Sequence, residues 1–208
     1  MIPPRDGRDA VEPSTARLIN AMAALDRSPR GEAPPRLPPP LVLGDEVDGI
    51  GDLVAAAFEQ RVGDRRLGWA LLRVAELVLR SLEEQRLLAD DRPELALSAW
   101  RDWCLGGEPQ RLYDAYNQMT EAARAARDRL TNAATSAQEQ SHAMFIACAA
   151  IEALALAARG VQTRATNEGL VTLAIDAAIF GLDLRETYDV ATARVVDEFR
   201  FGLTERGP

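Results

Sequence analysis

The sequence predicts an all-α protein, an antiparallel bundle of six or seven helices with a proline-rich N-terminal arm. Three observations lead there. From Gly44 onward, apolar residues recur at three- and four-residue spacings. No stretch alternates with period two, and the few β-branched residues do not cluster with turn signals. The 36 alanines concentrate from Ala122 onward, where small side chains let helices approach closely.

Residues 1–43 form the arm. Nine of the 12 prolines lie in the first 40 residues, so residues 28–40 are expected to be an extended polyproline-type segment. Between the prolines, residues 15–27 place Leu18, Ile19, Met22 and Leu25 on one face, a short amphipathic helix with Thr15 as its cap. The arm reads either as a docking segment or as a loosely packed appendage.

Residues 44–208 form the bundle domain. Ile50, Leu53, Val54, Ala57 and Phe58 make a first apolar stripe. Leu67, Ala70, Leu71, Val74, Leu77, Val78, Ser81, Leu82 and Leu88 make a second, about six turns long. Asp91 or Arg92 ends that element, and Pro93 suits the first turn of the next. There Leu95, Ala99 and Trp103 share a face, with Trp100 and Cys104 beside them, until Gly106 and Gly107 stop the helix and Pro109 opens another.

Residues 109–159 contain no Gly, and no Pro after the opening Pro109. One helix of that length would run ~77 Å, against a radius of gyration of ~17 Å for a compact chain of this size. A break is therefore expected at residues 131–136, with Ser136 and Glu139 at capping-box spacing. A further helix covers about residues 166–180 with Leu170, Leu173, Ala174 and Ala177 inward. The last opens at Asp183, with Glu186 three positions on, and presents Leu184, Tyr188, Ala191, Val195 and Phe199.

The formal net charge is −8, and all 24 basic residues are arginine. After the arm, 18 arginines face 27 acids. That balance argues against nucleic-acid binding, which needs a basic face to displace counterions. It suits a basic protein partner. The two cysteines, Cys104 and Cys148, belong to no metal-ligand spacing and are expected to be reduced, buried thiols of a cytoplasmic protein. No secretory signal is expected. The most apolar stretch, residues 143–158, is interrupted by Glu152 and short of the ~20 residues of a span, so no membrane segment is expected either.

Catalytic components are few. The lone histidine, His142, would have to serve any Ser-His-Asp or Cys-His site, yet no GxSxG pattern occurs. Glu139 and His142 have the Glu-x-x-His spacing of di-iron bundles, but such a centre needs two of these motifs plus two more glutamates. A monomer with one histidine lacks them, leaving only a metal shared between subunits. Gly44, Gly49 and Gly51 precede a helix without the Gly-Lys-Ser/Thr ending of a phosphate loop. No catalytic residue, cofactor or metal ligand is therefore assigned. The tryptophans, Trp69, Trp100 and Trp103, lie on or beside apolar stripes and are expected in the core. Glu83, Glu84, Asp90, Asp91 and Glu94 cluster at a helix end and turn, an acidic edge suited to docking a cationic partner.

The stretch from Leu67 to Glu84 carries the run Trp69-Ala-Leu-Leu-Arg-Val-Ala-Glu-Leu-Val-Leu79. It leads through Asp90-Asp-Arg-Pro93 to Trp103-Cys-Leu-Gly-Gly-Glu108 and then the Ala122-Ala-Arg-Ala-Ala-Arg-Asp128 repeats. This resembles the helical immunity proteins of bacterial toxin–immunity systems, over roughly residues 67–159. The Asp-Asp-Arg-Pro turn followed by Trp…Gly-Glu is its most distinctive part. Where that family has a histidine after the glutamate, this chain has Leu77. The resemblance implies a protein that binds and masks a cognate toxin. The expectation is a non-enzymatic protein-binding module. The alternatives are a self-associating scaffold, which would be a homo-oligomer, and a bundle enzyme with a carboxylate or metal site.

Overall fold

The computed structural model describes residues 37, 39–44, 47–85, 87, 91–134, 137–183 and 187–205. They form seven helices and no strand: α1 (Ile50–Glu59), α2 (Asp64–Glu84), α3 (Arg92–Cys104), α4 (Pro109–Asn132), α5 (Gln138–Gln162), α6 (Glu168–Asp183) and α7 (Tyr188–Thr204). The chain is an all-α bundle, and from α2 onward each helix packs on the next. The helical unit spans Pro35–Pro208. It reaches back before Gly44 because Leu41 is buried and donates its N–H to the Leu203 carbonyl at 2.9 Å. The helix expected over residues 15–27 lies outside the described residues.

α2 is the centre, packing against α3, α5, α6 and α7. Its apolar stripe is wide because Leu71, Leu72, Val74, Ala75 and Leu77 are all buried. Arg66, the buried charged residue of this core, donates from Nη1 to the carbonyls of Gly202 (3.2 Å) and Glu205 (2.8 Å). A cation there satisfies the orphan acceptors at the end of α7, while burial lowers its pKa. The Trp69 indole N–H donates to the Glu205 carboxylate, and Arg73 joins Glu76 (3.0 Å) to Glu198 (2.9 Å).

The long Gly-free stretch breaks where expected. Thr131 and Asn132 donate their side chains back to the carbonyls of Arg127 (3.0 Å) and Asp128 (2.7 Å), ending α4 before residue 133. Ser136 lies outside the described residues. α5 is long and apolar enough to cross a membrane by length and composition, so Glu152 does not interrupt it as the sequence suggested. Here it packs against α2, α4 and α6, with Ile151, Leu154, Ala155 and Ala158 fully buried.

Three facings differ from expectation. In α3, Leu95 is exposed, and Ala96, Leu97 and Trp100 point inward with Ala99 and Trp103. In α6, Ala174 points inward as expected, but Leu170 and Leu173 are exposed and Ala177 is half-buried; Val171, Ile175, Ala178, Ile179 and Leu182 do the packing. Asp183 belongs to the end of α6 instead of opening the last helix, which begins at Tyr188 behind Thr187. Tyr188 is exposed; Leu184 and Glu186 lie outside the described residues. The remaining positions of α7, Ala191, Val195 and Phe199, are buried as expected.

Candidate functional site: an acidic edge and an open apolar groove

The acidic residues sit where α2 ends and α3 begins. Glu83 and Glu84 are exposed in the last turn of α2, which holds no basic residue. This is the negative end of the helix macrodipole, where each carboxylate costs about 0.3–1 kcal/mol instead of stabilising. Asp91 is exposed at the start of α3 and accepts from the Leu95 N–H through its carbonyl at 3.0 Å, its side chain making no capping bond. Glu94 is exposed in the first turn, the favourable pole. Asp90 lies outside the described residues.

Glu83 and Glu94 are brought to one shallow groove of about 320 Å³ between α2 and α3. Glu84 and Asp91 do not line it. Arg80 and Arg101 do, with Glu76, and Arg101 is paired to Glu76, so the groove is less acidic than the edge above it. Arg92 stands 4.0 Å from Glu121 of α4.

Both cysteine thiols are withdrawn from solvent. Cys104 and Cys148 are buried and form no disulfide, and burial pushes the Cys104 thiol well above the usual cysteine range. Glu139 and His142 are both exposed at the start of α5. No three His, Cys, Asp or Glu side chains are grouped to hold a metal ion among the described residues. All three tryptophans are buried, as expected.

A second surface was missed from the sequence. Between α5 and α6 lies an open groove of about 630 Å³, floored by small residues such as Ala153, Ala157 and Ala177. Its rim is Leu156 (53% exposed), Leu170 (49%), Leu173 (65%) and Phe180 (58%). The signal that could have found it is that α6 is apolar on almost every face. Compared with protein-family models, curated proteins and solved structures, the chain matches none.

Proposed function

We propose that this chain is a non-enzymatic protein-binding module of a bacterial conflict system, an immunity protein that masks a basic toxin domain through its acidic edge. The observation that carries the reading is the pair Glu83 and Glu84 at the unfavourable pole of α2, with no basic residue in that turn. Carboxylates held where they weaken their own helix gain most from a cationic partner. Asp91 and Glu94 extend the same charge onto α3. The resemblance over residues 67–159 gives the partner its class. The absence of enzymatic chemistry is part of the proposal, supported by one exposed histidine and two buried cysteines.

Co-expression tests it. Each gene flanking this one is expressed alone and together with this chain, and growth and co-purification are measured. One neighbour is expected to be toxic alone, harmless in company and retained on the tagged chain. No relief and no co-purification with any neighbour sinks the reading.

A further inference from the structure

We infer that two copies of this chain pair through the groove between α5 and α6, with α6 lying antiparallel to α6 of the second copy about a two-fold axis near Ile175. The inference is independent of the toxin reading, since it uses a different face.

The first argument is the character of α6. A helix whose apolar residues extend well beyond its core-facing side is normally covered on more than one side, yet here α6 is covered on one side only. Val171, Ile175 and Ile179 are buried against the bundle while Leu170, Leu173 and Phe180 face solvent. Outward of the core, this helix offers few polar groups beyond Thr172 and Asp176 between its ends.

The second argument is pattern. Leu170, Leu173, Ala177 and Phe180 line the groove at spacings of three, four and three residues, the seam of a helix pair. That spacing reads the same in both directions about position 175. Antiparallel pairing therefore sets Leu170 against Phe180 of the second copy and Leu173 against its Ala177, a large residue entering the space beside a small one. A two-fold contact needs this self-complementarity.

The third argument is charge. Each copy carries −8, so contact through an acidic face is repelled. The groove lining holds one arginine, Arg159, and one aspartate, Asp176, and is neutral. Arg159 is stacked over Tyr113 (4.5 Å to the ring centroid) and Tyr116 (5.3 Å), which sets its cation at the groove's side. Area agrees: about half of each of four large rim residues, doubled by symmetry, supplies most of the apolar centre of an interface that buries roughly 1,200–2,000 Å².

Sedimentation or light scattering on the full chain across a dilution series tests the pairing. The mass is expected to rise from monomer to dimer with concentration. Leu173→Glu and Phe180→Glu each place an unpaired charge in the interface and are expected to raise the dimer dissociation constant roughly 30-fold or more. Leu95→Glu, on the exposed face of α3, is expected to leave it unchanged. Far-UV circular dichroism checks that all three variants keep the helix content of the wild type. A wild type that stays monomeric throughout overturns the inference, as do α6 variants that dimerise like the wild type. A monomeric wild type whose α6 variants stop binding a co-purified protein also overturns it, and makes the groove that protein's seat.

Discussion

The ring of Trp103 lies against the backbone of Gly68: a Cβ added to Gly68 would stand 2.3 Å from Cζ3 and 2.9 Å from Cη2 of the indole. Arg65, one turn earlier on α2, donates to the Trp103 carbonyl at 2.9 Å and the Gly107 carbonyl at 3.1 Å. The end of α3 is thus held to α2 by a side chain on one side and by a missing side chain on the other. Gly68→Ala is expected to destabilise the protein by about 1–3 kcal/mol, the cost of overpacking. This outweighs the gain of up to about 1 kcal/mol from removing a helical glycine. Urea denaturation measures the difference. A neutral or stabilised variant would show that the ring slides away freely.

Two helices end with arginine where glycine is usual. Arg61 (φ 50°) and Arg164 (φ 56°) are in the left-handed region. Each closes its helix in the same way: Val62 and Ala165 donate to the carbonyls of Ala57 (2.9 Å) and Gly160 (2.8 Å), and Arg61 and Arg164 donate to those of Phe58 (3.1 Å) and Val161 (3.0 Å). Arg61→Gly and Arg164→Gly are each expected to stabilise by about 0.5–1 kcal/mol through relief of that backbone cost. An arginine at a helix C-terminus also complements the dipole, an effect that salt screens. The gain is therefore expected to be larger in high salt. Thermal melts at two ionic strengths measure both signs.

Cys104 gives the protein an alkaline weakness. Burial raises its folded pKa, while the unfolded thiol ionises near its ordinary value of about 8.5. Above that pH the unfolded chain releases a proton that the folded chain keeps, so stability falls, by at most ~1.4 kcal/mol per pH unit for this one group. Cys104→Ala is expected to be less stable at neutral pH, because it leaves a small cavity, yet to show a shallower loss between pH 8.5 and higher values. Denaturation midpoints across that range give the slope. Equal slopes in both proteins would mean that the thiol ionises in place.

At the acidic edge, reversing Glu83 and Glu94 together to arginine changes binding before it changes folding. Both are exposed, so stability is expected to stay within about 0.5 kcal/mol. Association with a cationic partner is expected to slow about tenfold or more at low salt, and the difference should shrink as salt is added. Stopped-flow association at several ionic strengths reads this out. An unchanged rate would place the partner elsewhere.

The helices were legible because most are amphipathic: α2 declares its inward face through Leu67, Leu71, Val74 and Val78, and all four are buried. α6 did not, for a physical reason. Where Leu170 and Leu173 alternate with Val171 and Ile175, periodicity has only Thr172 and Asp176 to set against the apolar residues, too few to single out one inner face. Leu95 misled in the same way, standing one position from Ala96 and two from Leu97. Of the acidic edge, the clustering of Glu83, Glu84, Asp91 and Glu94 was readable. That Glu83 and Glu94 share a groove with Arg80 and Arg101 was not, because it depends on how α2 and α3 pack.

The position of α2 has a consequence for how the molecule opens. With α3, α5, α6 and α7 all resting on it, no partly unfolded form can keep the core while releasing this helix. Its amide hydrogens are bound to exchange only through global unfolding. α1, which leans mainly on α6 and slightly on α7, can lift away while the rest persists, so its amides should exchange earlier. Deuterium uptake over hours would thus draw a gradient from the rim of the bundle to its axis.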